Sequence, residues 1–320
     1  MDDLVGRRVT VRRKVDERAG RTVDEPTGRM RYSDVVGVLL SVGDELRIRH
    51  RDGREIAVPA SAVHRIKPVP VAARDALELE RVATLGWPAP EQEWLGHWML
   101  RAAGGFTGRA NSALPLGSPG MPVTQAIEAV IAWYGARGLA PRFAVPIPGA
   151  ASVDAALDAL GWSGEASTLV RTGELANVRS RAAARDDVVV DLENEPDEAW
   201  LAMYHYRGRG PVPAIGRAVM LAAACPVFAA IREAGEPVAV ARAVVDETWL
   251  GVTALEVAPS HRRRGLARAL MAALADWGAE RGAVSSYLQV LESNAAANAL
   301  YDDLGYWTHH RYHYRVLPTG

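Results

Sequence analysis

The chain has 320 residues, a length that predicts two or three domains, each large enough to bury its own core. Apolar residues make up 49% and the formal net charge is -1, so no charge excess marks a nucleic-acid-coating protein or a charged tail. The single cysteine, Cys225, excludes an internal disulfide and a cysteine-built metal site, which favours a reducing compartment.

The first residues are acidic and lack the basic, then apolar, pattern of a secretory signal peptide. No apolar stretch approaches the roughly 20 residues that a membrane-spanning helix needs. We therefore expect a cytoplasmic protein without a membrane contact.

Short stretches of alternating polar and apolar residues predict strands at residues 8–12, 35–40, 46–49 and 55–58. Asp52-Gly53 predicts a tight hairpin turn between the last two, because both residues tolerate a positive φ. Two prolines within residues 67–70 then end the ladder, since proline has no amide hydrogen to donate. Residues 1–68 are predicted to form a small β-barrel, and they resemble an SH3-like barrel.

The remainder of the chain carries an internal repeat with a step of 144 residues, which takes Trp133 to Trp277 and Arg171 to Arg315. In the first copy we predict helices at 125–137 and 152–160 and strands at 142–145 and 168–171. In the second we predict strands at 249–257, 286–291 and 311–316 and helices at 266–277 and 294–304. The fold class is therefore α+β, with domains at 72–176 and 186–317 after the barrel.

Arginines and small residues occupy the turn before the helix predicted at 266–277. They are Arg262, Arg263, Arg264, Gly265, Leu266 and Ala267. The start of a helix leaves backbone N–H groups without partners, and small residues let a phosphate group approach them closely. The run predicts a phosphate site, and a merely solvated turn is the alternative.

A second motif, LQVLESNAAANALYDDLGY, follows at residues 288–306. With the run at 262–267 it resembles the GNAT N-acetyltransferase superfamily, whose members show Arg/Gln-x-x-Gly-x-Gly/Ala at a helix start, then Leu-x-Val, Asn, Ala, Leu-Tyr and Gly-aromatic at this spacing. The resemblance implies two tandem GNAT-like halves and transfer of an acetyl group from acetyl-CoA to a primary amine in a ternary complex, with CoA as a product. The three-part layout resembles actinobacterial acetyltransferases linked to N-acetylglutamate synthesis.

The resemblance also implies roles for single residues. Residues 262–267, Val257, Asn294 and Tyr301 would bind acetyl-CoA, and a backbone N–H near Val257 would stabilise the oxyanion. Tyr301 stands where family members place the proton donor to the leaving thiolate; a core aromatic residue is the alternative. Asn294 could instead only cap its helix.

A base must accept a proton from the amine, and Glu256 is our candidate. Regular alternation along its strand would put it on the apolar face of Leu250, Val252 and Ala254, where the charged form of a carboxyl is disfavoured. A solvated glutamate at a strand end is the alternative reading. Other candidate bases are His205, Tyr204 and the pair His309-His310.

Acceptor recognition is assigned to Tyr204, Arg207 and Arg209, in the segment before the central strand, and to His310. The two arginines could clamp a carboxylate, which favours a small amino-acid-type metabolite, possibly glutamate. The polar stretch at 309–313 lacks the helical spacing of metal ligands, so no metal is predicted.

The first copy departs from the motif. Residues 118–123, which correspond to 262–267, lack arginine and contain two prolines, and Leu157 replaces Tyr301. We expect this copy to be degenerate and non-catalytic. Its polar run at 108–112 could face a ligand, although a polar loop is the simpler interpretation.

Three other functions remain open. The chain could be a non-catalytic acyl-CoA sensor or adaptor, or an N-acetyltransferase for proteins or peptides. Arginines in the N-terminal segment could also bind nucleic acid, but interspersed acids and the lack of an aromatic platform argue against such a partner. A homodimer is compatible with each reading.

Overall fold

The computed structural model describes residues 4–15, 31–50, 54–182, 187–205 and 212–318, and the chain divides into two compact units, Met1–Val71 and Ala72–Gly320. The predicted hairpin turn Asp52-Gly53 and the predicted substrate residues Arg207 and Arg209 lie outside the described residues. The domain boundaries at 72–176 and 186–317 stay predictions.

The first unit is an antiparallel sheet. Its strands are β1 (Arg8–Val15), β2 (Arg31–Ser41), β3 (Glu45–Arg49), β4 (Glu55–Pro59) and β5 (Val63–Pro68), in the order β4-β3-β2-β1-β5. Alternate apolar side chains such as Val9, Val11, Leu46 and Ile48 are fully buried in its core. Within the described residues no pairing joins β4 to β5, so a closed barrel is not confirmed.

The second unit contains the helices and the larger sheet. Its helices are α1 (Ala73–Gly86), α2 (Val123–Gly135), α3 (Ala151–Ala159), α4 (Leu175–Ala182), α5 (Glu198–Met203), α6 (Ala214–Leu221), α7 (Leu266–Glu280) and α8 (Ala295–Asp303). Its strands are β6 (Glu91–Leu95), β7 (Trp98–Ala102), β8 (Leu114–Pro115), β9 (Arg142–Ile147), β10 (Ser163–Gly164), β11 (Thr168–Glu174), β12 (Asp191–Glu193), β13 (Val227–Glu233), β14 (Glu236–Asp246), β15 (Trp249–Val257), β16 (Ser285–Leu291) and β17 (Trp307–Val316).

One mixed sheet joins the two predicted halves. Its strands follow the order β10-β17-β11-β16-β15-β14-β13-β12, and β9 also pairs with β17. β11 belongs to the first half in sequence, yet it lies between β16 and β17 of the second. The final strand of each half therefore pairs with the other half.

Helix α7 covers one face of this sheet. The predicted stripe on it is buried, with Leu270 and Leu274 fully inaccessible, and the helix ends before Gly282, whose φ of +83° is the left-handed conformation that closes many helices. The 144-residue step also relates α3 to α8 and β9 to β16. It fails at residues 105–113, which form a loop where the second half has β15.

Among the described residues no helix is both long and apolar enough to cross a membrane.

Candidate active site

The parallel strands β15 and β16 separate towards their carboxyl ends. They pair only from Trp249 opposite Ser285 to Val252 opposite Leu288. Beyond that point β16 stays paired with β11 as far as Leu291, while β15 follows β14. A cleft between the two strand ends results, with backbone hydrogen-bonding groups of β15 along one side.

A β-bulge in β15 bends the strand at this cleft. Ala254 has a φ of +54°, and the register against β14 shifts beside it. Leu250 and Val252 pack in one core together with Leu255, whereas Ala254 packs on the opposite face. The expectation that Glu256 shares the face of Leu250 and Val252 is therefore wrong, because the extra residue resets the alternation.

The predicted phosphate site lies at the start of α7. Gly265, with a φ of +80°, is the N-cap residue, and no described side chain caps the helix. Its first backbone N–H groups therefore remain available to an anion. Arg262 Nε donates to the Val257 carbonyl at 3.2 Å, and Arg264 pairs with Glu233 at 2.7 Å. Arg263 is exposed, with a φ of +62°.

The other two predicted cofactor residues are Asn294, the N-cap of α8, and Tyr301 within that helix. Asn294 Oδ1 accepts a hydrogen bond from the Ala297 amide at 3.2 Å, so the predicted cap is confirmed, while its contact with acetyl-CoA stays a prediction. Tyr301 is 7% exposed, and burial raises its pKa to about 12. The phenol therefore keeps its proton throughout the neutral range.

Two of the candidate bases lie together. Glu256 Oε2 accepts a hydrogen bond from the backbone N–H of His205 at 2.7 Å, and Glu256 Oε1 is 3.6 Å from His205 Nδ1. That nitrogen is also 2.9 Å from the Met203 carbonyl. Glu256 is 24% exposed, so its carboxylate is accessible from solvent.

Beside the bulge lies a cavity of about 170 Å³. Its lining residues are Trp87, Thr107, Arg109, Thr168, Tyr204, Thr253, Ala254, Gln289, Leu291, Tyr312 and Tyr314. Of the predicted site residues that the structure describes, only Tyr204 is in this lining, and Glu256 follows Ala254 by two positions. We call this the acceptor cavity.

The acceptor cavity includes buried polar atoms that lack a hydrogen-bond partner within the described part of the chain, among them Thr168 Oγ1 and Gln289 Nε2. Thr168 is only 4% exposed. Leaving such an atom unpaired costs about 1–3 kcal/mol, which favours a ligand that satisfies it.

Sequence reasoning missed most of this lining. Arg109 lies in the polar run at 108–112, where we favoured a plain loop. The side chain of Asn111 organises that loop: its Oδ1 accepts from the amides of Ala103 and Gly105, and its Nδ2 donates to the carbonyls of Phe106 and Thr107. Alternation along β17, which buries Tyr312 and Tyr314, was an available signal for those two residues.

His310 is not among the residues that line the acceptor cavity. Its Nε2 is 3.0 Å from Glu80 of α1, and its Nδ1 is 2.8 Å from Nδ1 of His309. His310 and Glu80 are both buried, at 4% and 5% exposure. The structure thus gives His310 a buried carboxylate partner, and its contact with a substrate stays a prediction.

Within the described residues no group of three or more His, Cys, Asp or Glu side chains could hold a metal ion.

Comparison with known proteins gives matches over most of the chain. A family model described as "Probable histone acetyltransferase Rv0428c C-terminal" matches residues 74–315. The probable histone acetyltransferase Rv0428c of Mycobacterium tuberculosis is 33% identical over 330 residues, covering 98% of this chain and 95% of that protein. The uncharacterized N-acetyltransferase YobR of Bacillus subtilis is 27% identical over 246 residues, covering 76% and 98%.

Solved structures agree at the level of the fold. A GCN5-related N-acetyltransferase from Kribbella flavida superposes with a TM-score of 0.58 and 19% identity, covering 77% of this chain and 96% of its own.

Proposed function

The chain belongs to the GNAT N-acetyltransferase family, and on that premise we propose that it transfers the acetyl group of acetyl-CoA directly to the primary amine of a small metabolite. The observation that carries the proposal is the cleft between β15 and β16, which leads along the chain into the uncapped start of α7 and its three arginines. The cleft and the helix start offer separate sites for the arm and for the phosphates of one extended molecule.

The residues present fit acetyl-CoA. The free N–H groups of Leu266 and Ala267, with the charges of Arg262 and Arg263, would hold the pyrophosphate. Backbone groups of β15 between Thr253 and Val257, which do not pair with β16, would hold the amide-bearing arm. Acetyl-CoA supplies an acetyl group activated as a thioester.

The side chains supply the proton transfers. Glu256 accepts a proton from the acceptor ammonium, so that the amine nitrogen can form the new C–N bond while the C–S bond breaks. A backbone N–H near Val257 stabilises the negative charge on the carbonyl oxygen. Tyr301 donates its proton to the departing sulfur, and the second proton of the attacking nitrogen, released as the amide forms, restores the phenol through solvent. The reaction needs both substrates together and no acyl-enzyme.

We further infer that residues 72–176 are a degenerate GNAT-like half and that residues 1–68 are an SH3-like domain. The recurrence of helix and strand bounds at the 144-residue step supports the first inference. Fully buried Leu157 in place of Tyr301, and prolines in place of the arginine run, support the loss of catalysis. Five antiparallel strands support the second.

A protein amine is the alternative acceptor, because the relative from Mycobacterium tuberculosis is named a probable histone acetyltransferase. A non-catalytic acyl-CoA sensor is the other rival.

One experiment separates these functions. The chain is incubated with acetyl-CoA and either single amino acids, polyamines or lysine-rich peptides, and acetylated products are identified by mass spectrometry. We expect a small amine to be acetylated, and Glu256→Gln to lower its turnover by about 100-fold or more. Glu236→Gln, an exposed change at the start of β14, is the control. Binding of acetyl-CoA without any product would favour the sensor.

A further inference from the structure

Resting on the proposed function, we propose that the acceptor cavity holds an amine that also carries a carboxylate, and that Arg109 binds this carboxylate. The substrate class is then the amino acids and related ω-amino acids, and the lysine side chain of a basic protein is excluded. The cavity lies within one compact unit and outside the residues that the sequence motifs single out.

The charge of the residues that line the acceptor cavity favours an anionic group in the ligand. Among the described lining residues Arg109 is the one cation and none is a carboxylate; the other polar ones are threonine, tyrosine and glutamine. A guanidinium in a partly enclosed site attracts an anion, and its planar fork matches both oxygens of a carboxylate. An amine without a carboxylate would leave the charge of Arg109 unpaired in this partly enclosed site.

A second cation, next to the lining residues Trp87 and Thr253, also favours an anionic ligand. Arg242 is fully buried, and it donates to the carbonyls of Gly86 at 2.9 Å and Met220 at 2.8 Å and to the hydroxyl of the lining residue Thr253 at 3.3 Å. Burial lowers the pKa of Arg242 to about 10, so the group remains charged at neutral pH. Asp246, whose own pKa is raised by burial, offsets part of this charge.

Arg109 is held in a prepared position. The carbon centre of its guanidinium lies 5.5 Å from the Trp87 ring, and that of Arg242 lies 5.2 Å from the same ring. Trp87 Nε1 donates to Thr107 at 3.2 Å, and Asn111 fixes the rest of the loop through its four hydrogen bonds. A preorganised cation binds an anion with less loss of conformational entropy.

The unsatisfied atoms give an independent sign of a ligand. Thr168 Oγ1 and Gln289 Nε2 line the same cavity, and neither has a hydrogen-bond partner in the described ranges. Both can donate a hydrogen bond, which matches a ligand rich in acceptor oxygens. Gln289 is fixed because its Oε1 accepts from Tyr312 at 3.3 Å.

The two charged residues also give the ligand a direction. Glu256 follows the lining residue Ala254 along β15, so the amine would point towards Glu256 and the carboxylate towards Arg109. The volume of about 170 Å³ is below the roughly 300–1,000 Å³ of pockets for drug-sized ligands, which suits an amino acid.

The test uses acceptors that differ only in the carboxylate. Thiol release from acetyl-CoA is followed with each common L-amino acid, with β-alanine and γ-aminobutyrate, with the carboxamides of the best acceptors, and with a lysine-rich peptide. We expect the acid to exceed its carboxamide by about 10- to 100-fold in kcat/KM, the range for one charge-assisted contact. Equal use of acid and carboxamide, or preference for the peptide, overturns the proposal.

Variants connect this preference to Arg109. Arg109→Gln should remove the preference, Arg109→Lys should restore part of it, and Arg74→Gln, an exposed change on α1, should leave it intact. If Arg109→Gln lowers kcat/KM equally for the acid and the carboxamide, the role of Arg109 is structural instead. The melting temperature of each variant shows whether it is folded.

Binding measurements separate this inference from the proposed function. Titration calorimetry follows the same acids into the chain saturated with CoA. Arg109-dependent binding without turnover would uphold the cavity and overturn the transferase. Acetyl-CoA binding with neither binding nor turnover of any carboxylate-bearing amine would overturn the inference alone.

Discussion

Arg171 and Arg315 stand 144 residues apart in sequence, and each makes the same set of contacts with the opposite half of the chain. The contacted groups are Asn298 Oδ1 (3.1 Å), the Asp302 carboxylate and the Tyr306 carbonyl (2.8 Å) for Arg171, and Asp154 Oδ1 (2.8 Å), Asp158 Oδ1 (2.9 Å) and the Trp162 carbonyl (3.0 Å) for Arg315. Every group in the first set lies 144 positions after its counterpart in the second. The exchange of final strands is thus fixed by two equivalent arginines.

Replacing Arg171 by glutamine should destabilise the chain by about 2–4 kcal/mol, because its guanidinium is buried and its loss leaves the Tyr306 carbonyl without this donor. Arg315→Gln, at a side chain that is 14% exposed, should cost less. Urea unfolding of both variants measures the difference. Equal, small losses would show that neither arginine holds the exchange.

Gly265→Ala should weaken acetyl-CoA binding by about 10-fold, because a side chain in the left-handed conformation strains the loop that precedes α7. Gly282→Ala is the matched control: its φ is also left-handed, at the other end of the same helix, with open space for a Cβ. Both variants should lose about 1–2 kcal/mol of stability. The dissociation constant of acetyl-CoA is measured by calorimetry for both variants. Equal values would show that this loop does not bind acetyl-CoA.

Tyr301→Phe should lower kcat by about 100-fold or more and leave acetyl-CoA affinity nearly unchanged, since only proton donation is lost. Burial raises the pKa of Tyr301 to about 12, so the donor form persists as the pH rises towards that value. The wild-type rate should therefore show no Tyr301-dependent fall below pH 10. If the wild-type rate falls below pH 10 and this fall is absent in Tyr301→Phe, Tyr301 is not the proton donor described here. The control is Tyr32→Phe, an exposed change in the first unit.

The stability of the second unit should decrease at acid pH through His309. Burial, and secondarily His310, lowers the pKa of His309 to about 3, against about 6.5 in an unfolded chain. The unfolded state binds more protons between these values, so this contribution is complete above about pH 6.5 and declines towards pH 3. The free energy of unfolding, measured with urea, should fall less between pH 7 and pH 4 in His309→Asn than in the wild type. The control is His97→Asn, an exposed change, which should follow the wild type. The same pH dependence in His309→Asn and the wild type would contradict the prediction.

Local patterns were sufficient for much of the second half. The helix predicted at 266–277 is α7 (Leu266–Glu280), because periodic apolar residues and a glycine end mark it. The strand predicted at 286–291 is β16 (Ser285–Leu291). The bulge at Ala254 had no such mark, since alanine does not favour a positive φ. The final strand begins at Trp307 rather than 311 because pairing with β11 extends it.

The candidate site was predictable only in part. The α7 loop and the cap at Asn294 are local features, so their spacing in sequence was informative. The acceptor cavity instead joins Trp87 and Arg109 to Gln289 and Tyr312, which meet only because the first half supplies a strand to the sheet of the second. Strands that are so distant in sequence pair without any local sequence pattern that would predict the pairing.

The position of β11 also decides what a truncated chain can do. A fragment that begins after residue 186 retains every motif residue, yet it lacks the strand between β16 and β17. The edges of β16 and β17 that β9, β10 and β11 cover would then face solvent and invite self-association. The fold of the half that carries the motifs therefore depends on the other half. Substitutions that disrupt the core of that other half would abolish turnover, although they change no residue that takes part in the reaction.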